Sequence, residues 1–157
     1  MTTGPTLVVL TDFQCPACKT FHARLVHVFG DRLSATDVRY AHLPLDYHAA
    51  ALPAAKLFEC AVRSESVALR LADVLFAVQD SLQVFSPGEL LRRAQVSNAS
   101  GPLECLARSD SGHFERIWQS KRIAQEVSVL GTPSVFLDGK LLALPPDEDR
   151  LRSIFDR

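Results

Sequence analysis

Leu7-Val8-Val9-Leu10-Thr11-Asp12-Phe13-Gln14-Cys15-Pro16-Ala17-Cys18-Lys19-Thr20-Phe21 reads as a buried strand, a short loop and two cysteines at the opening of a helix. The apolar run from Leu7 to Leu10 predicts a strand covered on both faces, as in the middle of a parallel or mixed sheet. After Cys18 the period changes: Phe21, Leu25, Val28 and Phe29 stand at i, i+4, i+7 and i+8, one face of a helix. Pro16 suits the first helical position, where its missing N–H costs nothing, and that places Cys15 at the N-cap. A thiol there meets unpaired N–H groups and the positive end of the helix dipole, and both favour thiolate over thiol. Cys18, three residues on, lies within disulfide reach. The spacing therefore predicts a reactive Cys15 with a partner ready to close a disulfide.

An unperturbed thiol, with a pKa of about 8.5, is only a few per cent ionised at neutral pH; helix-terminal cysteines in such motifs fall between about 3.5 and 7.5. Two other readings of the motif stand beside this one. Cys15, Cys18 and His22 form a C-x2-C-x3-H pattern that could supply zinc ligands, with a fourth from elsewhere. A purely structural Cys15–Cys18 bridge would close too small a loop to stabilise much. The apolar strand before the motif and Pro16 within it favour redox chemistry.

The 157 residues suit one domain, or one domain carrying an insertion, and can bury a real core. With 47% hydrophobic and 22% charged residues, the chain has the composition of an ordinary globular protein. A net charge of −1, with no basic cluster beyond Lys121-Arg122, argues against nucleic acid and anionic membranes as partners. No apolar run approaches the roughly 18 residues of a membrane span, and residues 1–5 read as a short turn-like leader without signal-peptide character. Four cysteines allow three pairings. If the motif uses Cys15 and Cys18, then Cys60 and Cys105 remain, either as a bridge across about 45 residues or as two buried free thiols. A bridge would point to an oxidising compartment.

In chain order, Val38 to Leu43 alternates as a second strand ended by Pro44. From about His48 to Leu130 the pattern is helical, in pieces. Ala49 to Val62 is alanine-rich and carries Cys60. Val67, Leu71, Val74, Leu75 and Val78 stripe a second helix. Ser86-Pro87-Gly88-Glu89 is a capping box opening a third, through Ala94. A loop over 98–102 precedes a short helix with Cys105. Phe114, Ile117, Trp118, Ala124 and Val127 mark a last long helix, with Trp118 read as core. Asp138-Gly139 between apolar runs predicts a type I′ hairpin. Pro145-Pro146 ends it, and Asp147 to Arg157 fits a terminal helix with an acidic first turn.

This order resembles the DsbA-like branch of the thioredoxin superfamily. The likeness is carried by Asp12-Phe13-Gln14-Cys15-Pro16-Ala17-Cys18, Pro44-Leu45 with His48, Glu59-Cys60-Ala61, and Gly131-Thr132-Pro133. Members of this superfamily are themselves the cases that define the thiol range quoted above. The resemblance implies an α/β thioredoxin fold with an inserted all-helical domain: residues 1–45 and 128–157 form the discontinuous thioredoxin part, and 46–127 the insertion. It implies an attacking, exposed Cys15, a buried resolving Cys18, a cis-proline at Pro133, and a Thr132 that contacts substrate and helps set redox character. A second disulfide within the helical domain, Cys60–Cys105, is consistent with the branch. One departure stands out. Relatives place a buried acid six residues before the first cysteine, where this chain has Val9; Asp12 is expected to be loop-exposed. The first strand and leader of relatives are very short or missing, as in a piece of a longer protein.

The function implied is thiol–disulfide exchange with cysteine-containing protein substrates, in the direction of dithiol oxidation. No cofactor or metal is required, and a redox partner protein recycles the Cys15–Cys18 pair. A reductase or isomerase on the same scaffold, and a zinc-binding or redox-sensing module, are the alternatives. Glutathione-using relatives generally have serine in place of the CxxC pair, which argues against that branch. A monomer is expected, outside the cytoplasm. The histidines read as bland: His27 and His113 as surface residues, and His42 and His48 as capping or packing groups.

Overall fold

A computed structural model describes residues 4–108 and 112–156. The leader reading for residues 1–3 and the last position of the terminal helix lie outside the described residues. The strand predicted first, β1 (Leu7–Thr11), is central. It pairs in parallel with β2 (Val38–His42) and antiparallel with β3 (Ser134–Leu137), which continues through a tight turn into β4 (Lys140–Leu141). The sheet order is β2-β1-β3-β4. Asp138 (φ 48°) and Gly139 (φ 80°) both take the left-handed conformation that a type I′ turn demands.

Between β1 and β2 runs α1 (Pro16–Phe29), with Cys15 as N-cap. Its apolar stripe does what the spacing predicts. Phe21, Leu25 and Phe29 pack on Leu7 and Val9, joined by Val135 of β3 and by Leu151 of the terminal helix α7 (Glu148–Phe155). Full burial of a leucine or phenylalanine contributes about 1.5–3 kcal/mol, so this cluster holds the motif-bearing helix firmly to the sheet.

Between β2 and β3 the chain is helical: α2 (Ala51–Ala61), α3 (Glu65–Ala77), a 3-10 helix over Gln79–Val84, α4 (Pro87–Arg93), α5 (Ser100–Ala107) and α6 (Glu115–Glu126). A second core lies under the motif. Phe13 and Cys18 meet Leu57 and Phe58 of α2, Leu71, Leu75 and Phe76 of α3, and Leu90 and Leu91 of α4. This is a thioredoxin fold interrupted by a helical insertion. Among the described residues, no helix is long and apolar enough to cross a membrane.

Local readings hold with adjustments. Ser86 caps α4 through Glu89 N–H (3.2 Å), but the Glu89 carboxylate pairs with Arg93 (3.1 Å), so one half of the capping box forms. Asp147 caps α7 through Arg150 N–H (2.9 Å). Trp118 is 37% exposed, not core. Ile117 fills the α6 position facing α2 and Phe114, and the next residue around the helix is turned outward. The sulfurs of Cys60 on α2 and Cys105 on α5 are bonded.

Candidate active site

Cys15 ends the loop leaving β1 in extended conformation (φ −79°, ψ 120°), with its N–H donating to the Asp12 carbonyl (3.0 Å). Pro16 then starts α1. Both Cys15 and Cys18 are free thiols. Cys15 is 7% exposed and Cys18 2%. Cys15 is thus more sheltered than the resemblance implies, because the turn before β3 approaches it. There the Thr132–Pro133 peptide bond is cis, and the Thr132 carbonyl lies 3.4 Å from Cys15 Sγ. The structure brings Cys15, Cys18, Thr132 and Pro133 together at one end of the sheet, 117 residues apart in sequence between Cys15 and Thr132.

The electrostatics divide the two thiols. Cys15 is lowered from 9.0 to about 5, chiefly because the Cys18 thiol donates a hydrogen bond to it. Burial opposes the shift; the Thr132 hydroxyl and the backbone N–H groups of Cys18 and Ala17 reinforce it. Those N–H groups belong to the open first turn of α1. Cys18 is pushed far up, because its proton is the one shared with Cys15 and because it is buried. The Thr132 hydroxyl, buried and without a hydrogen bond of ordinary geometry, favours the thiolate of both cysteines. In the neutral dithiol Cys15 donates to the Thr132 carbonyl; on ionisation that donor is lost and the Cys18 thiol becomes the donor. A thiolate on Cys15 with the remaining proton on Cys18 is a dithiol set for exchange.

The loop is held from beneath by residues the motif does not announce. Asp12 is 2% exposed, which corrects the loop-exposed reading. Its carboxylate accepts from Gln14 N–H (2.7 Å), Leu45 N–H (2.8 Å) and His48 Nδ1 (2.8 Å). Gln14 Oε1 accepts from Ala50 N–H (2.6 Å). Gln79 Nε2 donates to the carbonyls of both Phe13 and Cys15, each at 2.9 Å. Phe13 packs against Phe58 (5.4 Å between centroids) and Phe76 (5.1 Å). Asp12 and Gln14 lie in the quoted motif, and His48 was among the landmarks. Nothing local marks Gln79, a glutamine just past an amphipathic helix.

Val9 is buried in β1 opposite Tyr40 and Val135, so no acid occupies that position. Beside it, His22 is bound on both ring nitrogens, Nδ1 to the Tyr40 hydroxyl and Nε2 to Asp73, each at 2.6 Å. Burial, with Asp73 nearby, pushes the Tyr40 hydroxyl above its ordinary value. With both nitrogens engaged, His22 is not turned toward the cysteines as a third zinc ligand. His42 packs against both Phe13 and Phe58, its Nε2 3.1 Å from Glu59 Oε1. His27 and His113 are exposed. Beside the cis peptide, Leu43, Leu45, Val129 and Leu130, together with the polar Lys121 and Gln125 of α6, line a shallow groove of about 180 Å³, with Leu130 fully exposed.

A family model described as thioredoxin matches residues 2–157. No curated protein matches the sequence. Among solved structures, DsbA from Chlamydia trachomatis superposes with a TM-score of 0.73 at 13% identity, covering 98% of this chain and 86% of that one. Alpha-DsbA1 from Wolbachia pipientis gives 0.71 at 18% identity, with 99% and 85% covered. Oxidised BdbD from Bacillus subtilis gives 0.66 at 21% identity, with 95% and 84% covered.

Proposed function

The chain belongs to the thioredoxin family, with the DsbA-like fold, and from that premise we propose that it is a thiol–disulfide oxidoreductase acting on protein substrates as a dithiol oxidase. The observation that carries this reading is the geometry of the pair: Cys15 at the N-cap of α1 beside the cis Thr132–Pro133 peptide, with a buried Cys18 three residues on. The lowered Cys15 and raised Cys18 agree with it.

In the oxidised enzyme a substrate thiolate attacks Cys15 Sγ. The Cys15–Cys18 bond breaks, its electron pair goes to Cys18, and Cys18 takes up a proton. The substrate's second thiolate then attacks its own sulfur in the mixed disulfide, and Cys15 leaves as thiolate. The substrate has lost two electrons and the enzyme has gained them. A leaving thiol of low pKa leaves faster, so the lowered Cys15 favours the second step. Extended peptide would run past Thr132 and Pro133, with apolar side chains in the groove of Leu45 and Leu130. Another protein reoxidises the pair. The Cys60–Cys105 bridge supports a setting outside the cytoplasm.

The test is the reduction potential of Cys15–Cys18, equilibrated against glutathione. A value of about −120 to −180 mV supports the oxidase reading, whereas about −270 mV makes the protein a reductase.

A further inference from the structure

We infer that Gln79 is a positioning residue for Cys15, through which the helical insertion sets how strongly the Cys15 thiolate is stabilised. The inference rests on the proposed exchange chemistry and goes beyond it, because Gln79 touches no substrate and no reacting sulfur.

The geometry is specific. Gln79 is 4% exposed and begins the 3-10 helix that follows α3. Its amide nitrogen has two hydrogens and spends both on the turn: one on the Phe13 carbonyl, one on the Cys15 carbonyl, each at 2.9 Å. The Cys15 carbonyl also accepts the first backbone bond of α1, from Lys19 N–H (3.2 Å). Two donors on one carbonyl fix the peptide plane after Cys15 and hence the direction of its side chain over the Ala17 and Cys18 N–H groups. The Phe13 end of the turn is fixed twice, by Gln79 on its carbonyl and by Phe58 and Phe76 on its ring. The amide hydrogens also bring the positive end of a dipole to the base of the N-cap, where low polarity enlarges its effect on a nearby anion.

No other side-chain type of this length fits both demands. An apolar group leaves the buried Phe13 carbonyl without its donor, and a carboxylate turns lone pairs toward two carbonyls. Asp12 and Gln14 reach from the motif into neighbouring elements; Gln79 is the reverse case, a side chain from the insertion that reaches into the motif.

The experiment compares the full chain with Gln79→Met and Gln79→Glu. The readouts are the pH titration of Cys15 thiolate absorbance, the equilibrium with glutathione, and melting in both redox states. Gln79→Met is expected to move the thiolate–thiol ratio about tenfold toward thiol, one pKa unit. The glutathione equilibrium then moves by a similar factor toward the disulfide form, because the reduced state has lost its stabilised anion. Gln79→Glu should shift both at least as far at neutral pH. Gln79→Asn, which withdraws the amide by one methylene, is the milder second variant should the others fail to fold, with the same sign of shift. Lowered melting with an unchanged titration and an unchanged equilibrium would reduce Gln79 to a structural residue and overturn the inference. An unmodified protein that forms no Cys15–Cys18 disulfide would instead sink the proposed function, leaving the thiolate titration to decide on Gln79.

Discussion

A thiol that titrates at about 5 in the fold and near its ordinary 9.0 when unfolded ties the stability of the reduced protein to pH. The folded state binds the Cys15 proton less tightly, so ionisation of Cys15 stabilises the dithiol form. That contribution is complete above pH 9 and is lost as pH falls toward 5. Cys18 has the opposite sign: its raised pKa makes the folded state keep a proton that the unfolded chain gives up above pH 9. The melting temperature of the reduced protein, minus that of the oxidised protein, should therefore rise from pH 5 to about 9 and turn down beyond it. The disulfide form has no thiols at these positions and serves as the reference. A flat difference would mean that the fold does not distinguish the two cysteines. Thr132→Val tests one cause separately. The hydroxyl makes no ordinary hydrogen bond in the structure and acts as a buried donor close to the sulfur, so its loss should raise the Cys15 pKa by up to about one unit, roughly 1.4 kcal/mol, while leaving the carbonyl in place. An unshifted titration would remove Thr132 Oγ1 from the account. At this scale Cys15, Cys18 and the N-cap were legible because they depend on neighbours three residues away. The burial of Asp12 was not, because it depends on Leu45 and His48, which the chain brings back only after β2.

The elements show the same division between near and far. The 3.6-residue stripe of α1, the cap at Ser86 and the left-handed Asp138-Gly139 turn are local, and each forms where its residues predict, whereas Asp147, expected in the first turn of the terminal helix, stands one place before it as the N-cap. Trp118 was misread because periodicity gives a helix face its width but not its rotation toward a neighbour. The link between β1 and α1 depends on what lies between them, and Asp12 is the anchor: one buried carboxylate holds two backbone N–H groups and the half-buried His48. Asp12→Ala should cost about 3 kcal/mol of unfolding free energy in denaturant titration, in both redox states, because it strands three part-buried donors on two loops. Asp12→Asn, which keeps an acceptor, should cost less. A loss below about 1 kcal/mol for the alanine variant would mean that water replaces the carboxylate and that the loop is held chiefly by Phe13 and Gln79.

At the scale of the whole molecule, the insertion between β2 and β3 closes over the redox end of the sheet from one side, and the Thr132–Pro133 turn approaches from the other. The family match and the element order agree on this architecture, which was legible because strand, CxxC helix, strand, helical stretch and hairpin follow in an order few folds share. The two cysteine pairs lie in separate cores. Cys60 sits in a small core with Ala55, Phe114 and Ile117, and its bond to Cys105 ties α2 to α5 away from Phe13 and Gln79. Replacing both Cys60 and Cys105 by alanine should lower stability by about 2–4 kcal/mol, since the bridge spans a sequence separation of 45. The Cys15–Cys18 equilibrium with glutathione should stay within about twofold of the unmodified protein, because no hydrogen bond to the motif originates on α5 among the described residues. A shift of tenfold or more in that equilibrium would mean that the far end of the insertion also bears on Cys15. The anchoring of the turn would then be a property of the whole helical layer, with Gln79 only its last contact.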